Sequence, residues 1–181
     1  MRAQYLNLLY KFFIGFSLVV VSTMVYSEQI CQDTKILPSA RDTRYERNIQ
    51  GIVTDKNTGL MWRTCTEGTS GSACDAGSAI SASWGEALLY VDKINHDKGL
   101  EGFTDWRLPN IRELNSLVDV QCANASINSR IFPNTPAAHF WTSSPYNTLD
   151  FYSWYVDFST GETNTDDRLN AKNIRLVRAG Q

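Results

Sequence analysis

Apolar positions recur every three or four residues in two stretches of the chain, and this is the period of an amphipathic helix. The first stretch begins at a capping box, Ser83 to Glu86, in which each side chain bonds to the backbone of the other residue. A helix that ends before Gly99 is therefore expected. Its apolar face would consist of Trp84, Ala87, Leu88, Val91 and Ile94.

A second helix is predicted directly after Pro109. The proline holds Leu108 in an extended conformation, so the helix begins after it. Asn110 and Glu113 form a second capping box. The apolar stripe of this helix would be Ile111, Leu114, Leu117 and Val118.

Strand patterns occupy the remainder of the chain. Residues 52–53 and 60–62 flank a turn-rich segment that ends in Gly59, which predicts a hairpin. Residues 140–142 and 174–177 predict short strands, and residues 153–158 alternate with the two-residue period of a strand before a turn at 159–161. Two helices followed by an antiparallel sheet indicate the α+β class.

Residues 1–27 have the organisation of a secretory signal peptide. Arg2 and Lys11 precede an uncharged apolar run, and small side chains at Val25 and Ser27 favour cleavage before Glu28. The run is shorter than the ~20 residues of a transmembrane helix, so stable membrane insertion after cleavage is not expected. An uncleaved anchor is the alternative. The polar residues 28–48 would then be a solvated lead-in to a domain at residues 49–181.

Cysteine usage agrees with export. Four cysteines in an exported chain predict two disulfides, for which three pairings exist. Cys65 and Cys74 bracket a loop rich in glycine and serine, so the simplest pairing joins them and leaves Cys31 to bond with Cys122. A metal site is a poor alternative, because the chain has no Cys-x-x-Cys pair and two histidines. No cofactor is expected.

The charge balance excludes one class of partner. Removing Arg2 and Lys11 from the 17 basic residues leaves 15, against 19 acidic residues. A mildly acidic chain has no overall field that attracts polyanions, so nucleic acid is not an expected partner.

Blocks that carry tryptophan, arginine or proline follow one another in a fixed order. They are residues 58–62 (TGLMW), 105–114 (DWRLPNIREL), 131–136 (IFPNTP), 140–145 (FWTSSP), 154–158 (WYVDF) with Gly161, and 174–178 (IRLVR). Together they resemble the Lcl C-terminal domain family, a bacterial domain of unknown function. The resemblance implies a C-type-lectin-like arrangement, with two helices packed on a small, mainly antiparallel sheet. It also implies a role in bacterial surface adhesion.

The namesake of that family is associated with sulfated polysaccharides and carries a collagen-like stalk. This chain has no collagen-like Gly-x-y repeat, so trimerisation by a stalk is not expected, and a homo-oligomer stays open. An anionic glycan would require a local basic patch. The arginines in exposed-looking positions that could form one are Arg41, Arg44, Arg47, Arg63, Arg130 and Arg168.

Other conspicuous residues of these blocks are expected to be structural. Ion pairs that hold loops are predicted for Asp105, Arg107, Asp157 and Arg175, because charges seldom enter a core unpaired. Arg178 is expected at an outward or ion-paired position. The periodic positions of Trp84 and Trp154 predict core residues, and Trp106 and Trp141 are less constrained, with the core favoured.

No catalytic arrangement is recognisable. Ser143 and Ser144 have no Gly-x-Ser-x-Gly context, and His96 and His139 stand alone in the sequence. Residues 164–167 offer oxygen ligands for calcium, but a solvated acidic loop is the more common outcome of such a run.

The sequence therefore predicts a non-enzymatic binding module in the periplasm, at the cell surface or outside the cell. Its expected partner is an extracellular glycan or a surface protein. The alternatives are a structural component of envelope or pilus assembly and an enzyme of an unrecognised class.

Overall fold

The computed structural model describes residues 28–32, 34–48 and 50–180, and the predicted signal peptide lies outside them. Helix α1 spans Trp84–Asp97, and α2 spans Ile111–Asn115. The strands are β1 Ile30–Cys31, β2 Tyr45–Arg47, β3 Ile52–Asp55, β4 Leu60–Arg63, β5 Thr69–Ser70, β6 Ala76–Gly77, β7 Ser81–Ala82, β8 Cys122–Ala123, β9 His139–Pro145, β10 Tyr152–Asp157, β11 Glu162–Asp167, β12 Lys172–Asn173 and β13 Val177–Ala179. Over the described ranges, no helix is long and apolar enough to cross a membrane.

The strands form two main sheets. One has four antiparallel strands in the order β13-β4-β3-β2. The other has five strands in the order β11-β10-β9-β12-β7, in which the β12–β9 pair is parallel and the other pairs are antiparallel. The pairs β1–β8 and β5–β6 form two small ribbons. The α+β class with mainly antiparallel sheets is confirmed.

Two cores hold the sheets and helices together. The first lies where both sheets meet α2, and it contains Val53, Phe140 and Leu114 from these three elements. The second joins α1 to the opposite face of β9, and it contains Val91 and Trp141. Phe140 and Trp141 are adjacent in the strand, so their side chains reach opposite faces and tie the two cores to one sheet.

The capping boxes of both helices are present, and each helix begins where the sequence predicts. The predicted apolar faces need two corrections. Leu88 is exposed rather than buried. Helix α2 ends at Asn115, so Leu117 and Val118 are buried in the segment after it, where Val118 forms a bridge with Ile127.

Both predicted disulfides are confirmed. Cys65 and Cys74 form a buried bridge, whereas Cys31 and Cys122 link the pair β1–β8 across a sequence separation of 91 residues. The bonded cysteines indicate an oxidising environment outside the cytoplasm.

Three segments differ from the predicted pattern. Residues 164–167 are not a loop, because β11 pairs with β10 along its whole length. The last strand begins at Val177, and the buried Ile174 and Leu176 precede it as irregular chain. The polar segment before the domain is not solvated at every residue, since Ala40 is buried and β2 pairs with β3.

The open end of the β2–β3 hairpin contains a buried ion pair with a predictable pH dependence. Asp55 is fully buried, and its carboxylate accepts hydrogen bonds from the Arg44 guanidinium and from Thr58 Oγ1 at 2.8 Å. Burial acts to raise the pKa of Asp55, but these hydrogen bonds outweigh it and hold that pKa below its usual value. The ionised form therefore stabilises the fold.

We expect Asp55→Asn to lower the free energy of unfolding by about 2 kcal/mol at pH 7, because Arg44 loses its charged partner. Because the pKa of Asp55 is lower in the folded state, its contribution to stability is complete above about pH 4. That contribution is lost as the pH falls through the folded-state pKa of Asp55. Urea denaturation from pH 7 to pH 3 should therefore show the wild type approaching the variant in acid. An equal difference in unfolding free energy between wild type and variant at pH 7 and at pH 3 would contradict the stabilising role of ionised Asp55.

Candidate functional site

The hairpin formed by β9 and β10 carries four aromatic side chains at its closed end. These are Tyr146, Phe151, Tyr152 and Trp154, which we call the aromatic surface. The rings of Tyr146 and Trp154 meet edge to face with centroids 5.6 Å apart, and those of Phe151 and Tyr152 lie 5.1 Å apart. The Tyr146 N–H donates to the Tyr152 carbonyl at 3.0 Å, so the backbone joins the two segments that carry these rings.

Trp154 is partly exposed because of its position along β10. Val156 and Phe158 lie on the same face of the strand and are fully buried in the first core. Trp154 is nearer to the closed end of the hairpin, belongs to neither core and packs against Tyr146. Its predicted core position was therefore wrong, although its face was assigned correctly.

The other four tryptophans differ in burial. Trp84 packs against the second core but remains partly exposed, and its Nε1 donates to the Thr142 carbonyl at 2.8 Å. The less constrained Trp106 and Trp141 are buried, as is Trp62. Burial thus separates three structural tryptophans from Trp84 and Trp154, which reach solvent.

Polar side chains from β11 border the aromatic surface. Thr165 is directly opposite Trp154, and Asp167 is directly opposite Tyr152, so each pair shares a face of the sheet. Asp150 lies exposed in the hairpin loop beside Phe151. The aromatic rings are therefore bordered by hydroxyl and carboxylate groups.

Three of the six candidate arginines lie together elsewhere in the fold. Arg41 and Arg130 line an open cavity of about 490 Å³ between the chain that precedes β2 and residues 119–130. Arg47 donates to the Arg130 carbonyl at 3.2 Å, which places it nearby. Asp42 lies 3.5 Å from the Arg130 guanidinium and offsets part of this positive charge.

The other three arginines are engaged in the structure and are only partly exposed. Arg44 pairs with Asp55, and Arg63 pairs with Glu67 and Glu101. Arg168 stacks over the Trp84 ring at 4.3 Å, and its Nε donates to Ser153 Oγ at 2.8 Å. The six arginines therefore do not form one basic patch.

Ion pairs are present at two of the four predicted positions. Asp105 bonds to Arg178 at 2.7 Å, and Arg107 bonds to Glu113 at 2.7 Å. The Asp157 carboxylate instead accepts hydrogen bonds from the Ser159 N–H and Oγ at 2.7 and 2.6 Å, and His139 lies 3.5 Å from it. Arg175 has no carboxylate oxygen within 4 Å in the part of the chain that the structure describes.

Arg175 is instead fully buried and held by neutral acceptors. Its guanidinium donates to the carbonyls of Arg63 at 2.9 Å and Thr64 at 2.7 Å, and to the hydroxyls of Thr66 and Thr135 at 3.2 and 2.7 Å. Burial lowers the pKa of Arg175 to about 9, so the group stays charged at neutral pH. Its role is structural.

Three buried or half-buried groups with raised pKa values lie away from the aromatic surface. Burial raises the pKa of Glu67, whose Oε2 accepts a hydrogen bond from the Tyr90 hydroxyl at 2.9 Å. Burial also raises the pKa of Tyr45 and of Tyr90. None of these three groups lines the 490 Å³ cavity. Among the described residues, no group of three or more His, Cys, Asp or Glu side chains could hold a metal ion.

Fold and site together define a disulfide-bonded α+β domain that presents aromatic side chains to solvent. The model of the Lcl C-terminal domain family matches residues 51–178, and the chain belongs to this family. The resemblance carried by the sequence blocks is thereby confirmed. A search of curated proteins found no match.

Proposed function

We propose that this protein is a non-enzymatic binding module outside the cytoplasm, and that it recognises a glycan through its aromatic surface. The two disulfides support the location. Membership of the Lcl C-terminal domain family supports an adhesive role. Two helices and small antiparallel sheets are compatible with the C-type-lectin-like arrangement that the family resemblance implies.

The aromatic surface is the observation that carries this proposal. Phe151 is 56% exposed, and Tyr146, Tyr152 and Trp154 are partly exposed beside it. Adjacent exposed aromatic rings are characteristic of interaction sites, because exposed apolar surface is costly in water. Their faces fit the C–H face of a sugar ring, and neighbouring polar groups can bond to its hydroxyls.

The absence of enzymatic activity is part of the proposal. Catalytic groups usually combine a shifted pKa with a position in a cleft. The buried Glu67 instead bonds to Tyr90 and lies 3.4 Å from Arg63, inside the packed structure. Its raised pKa follows from burial in that ion-pair network.

The alternative function is a structural component of envelope or pilus assembly, which could join a partner by adding a strand to the edge strand β11. Strand addition would use the free backbone donors of an edge. The Thr165 N–H donates to Asn164 Oδ1 at 2.7 Å, and the Asp167 N–H donates to Asp166 Oδ1 at 2.8 Å. These two donors are therefore unavailable to a partner strand, which favours a surface ligand over strand addition at β11.

We expect Trp154→Ala to weaken glycan binding by at least about ten-fold, because it removes the largest ring of the aromatic surface. The experiment is a glycan array probed with the exported protein, with both disulfides formed. Leu89→Ala is the matched control, since Leu89 is 69% exposed on α1. Unchanged binding by Trp154→Ala, or no wild-type binding to any glycan, would overturn the proposal.

A further inference from the structure

We infer that the glycan recognised by the aromatic surface carries free amino groups, as in a polymer of glucosamine. This inference rests on the proposed glycan-binding function and specifies the ligand of the same site. It predicts a preference opposite to that for sulfated polysaccharides. The observations that support it are the distribution of charge around the aromatic surface and the positions of the nearest cations.

The segment that builds the aromatic surface is entirely acidic in its charged side chains. Residues 131–167 contain no lysine or arginine, and their carboxylates are Asp150, Asp157, Glu162, Asp166 and Asp167. Asp167 shares a sheet face with Tyr152 and Trp154, and Asp150 is exposed in the hairpin loop. These carboxylates would repel an anionic ligand on the rings, whereas an ammonium group would be attracted.

The cations that follow in the sequence are turned away from the aromatic surface. Arg168 bonds to Ser153, which alternates with Trp154 and so lies on the other face of β10. Lys172 is buried, bonds to Asp166 at 2.5 Å and lies 4.3 Å from the centre of the Tyr155 ring. Both cations therefore satisfy internal partners.

Helix α2 packs against the same two strands and contributes further charges. Arg107 is paired with Glu113, whereas Arg112 is exposed on the helix. Arg112 is thus the exposed cation of α2 that is to be tested. Asp150 and Asp167 are the carboxylates whose charge the inference invokes.

Ring chemistry favours an amino sugar. Ammonium groups are attracted to the faces of tryptophan and tyrosine, and a sugar ring can stack on one aromatic ring while its amine approaches a carboxylate. A basic peptide in an extended conformation would gain from ladder hydrogen bonds, but Thr165 and Asp167 already use their N–H groups internally. A glycan needs no such ladder.

The test compares three hexamers by titration calorimetry, at a pH at which sugar amines are protonated. They are glucosamine hexamer, N-acetylglucosamine hexamer and a sulfated heparin-derived hexamer. We expect the free-amine hexamer to bind about ten-fold more tightly than the acetylated one, and the sulfated one to bind most weakly. Binding of the free-amine hexamer should also weaken with added salt.

Charge variants assign the preference to particular residues. The double variant Asp150→Asn/Asp167→Asn should bind the free-amine and acetylated hexamers with similar affinity. Its matched control is Asp97→Asn, which removes one exposed carboxylate at the end of α1 and should keep the preference. Arg112→Gln should not weaken binding of the free-amine hexamer. A retained preference in the double variant would overturn the inference.

The remaining outcomes show whether the amino-sugar preference alone fails or glycan binding itself fails. Equal binding of the acetylated and free-amine hexamers, or tighter binding of the sulfated one, would overturn the inference and leave glycan recognition standing. A lysine hexapeptide that competes equally with the glucosamine hexamer would overturn the choice of an amino sugar. Absence of binding to all three hexamers and to the glycan array would overturn the proposed function itself.

Discussion

Arg175→Met is expected to lower the free energy of unfolding by about 4 kcal/mol. The guanidinium is fully buried and donates to two backbone carbonyls and two threonine hydroxyls. Methionine would fill part of the volume, but it would leave the Arg63 and Thr64 carbonyls without these donors. Buried acceptors that lose their donors destabilise a fold by about 1–3 kcal/mol each.

Urea denaturation of the oxidised protein at pH 7 measures this effect. Arg175→Lys should also be strongly destabilising, because a single ammonium cannot reproduce the planar arrangement of donors. Arg47→Met is the control, since Arg47 is exposed and its removal should change stability by about 1 kcal/mol or less. A loss below about 1 kcal/mol for Arg175→Met would contradict the structural role of Arg175.

Removing the Cys31–Cys122 disulfide is expected to destabilise the fold by about 4–5 kcal/mol. The bond closes a long loop, with a sequence separation of 91 residues, so it restricts the unfolded chain strongly. Cys65–Cys74 spans only nine residues, and its removal should cost about 2–3 kcal/mol.

Urea denaturation of Cys31→Ser/Cys122→Ser and of Cys65→Ser/Cys74→Ser compares the two disulfides directly. We expect the first double variant also to expose the N-terminal segment to proteolysis, because β1 pairs with β8 at only two positions. A larger loss for the Cys65–Cys74 variant would contradict this ordering.

Local sequence patterns were sufficient to locate both helices. Ser83 and Asn110 mark the N-termini, because each caps a helix whose third residue is a glutamate. The end of α2 was not predictable in the same way. Leu117 and Val118 continue the helical spacing, but the bridge between Val118 and Ile127 draws the chain into a different conformation. Tertiary contacts therefore decide where this helix ends.

The aromatic surface was only partly predictable. Alternation assigned Trp154 to the face of Val156 and Phe158, and that assignment holds. Alternation cannot show how far along a strand the core extends, and this is why Trp154 was expected to be buried. The sequence signal that was available is the aromatic-rich hairpin of residues 146–154, in a segment without lysine or arginine.

For one arginine the expected burial was wrong in the opposite sense to that of Trp154, and for another the expected partner was wrong. Periodic spacing suggested that Arg41, Arg44 and Arg47 are all exposed, but Arg44 is partly buried by its pair with Asp55. Arg175 was expected to need a carboxylate, yet backbone carbonyls and hydroxyls hold it. Such partners come from segments far apart in the sequence, so a local pattern does not reveal them.

The most direct test of glycan recognition follows the five tryptophan indole N–H signals by nuclear magnetic resonance. The exported, oxidised protein is titrated with glucosamine hexamer and separately with N-acetylglucosamine hexamer, and Trp154→Phe assigns the relevant signal. We predict that at least one hexamer shifts the Trp154 signal saturably, while those of the buried Trp62, Trp106 and Trp141 stay in place. Saturable binding that leaves the Trp154 signal unmoved would contradict recognition through the aromatic surface.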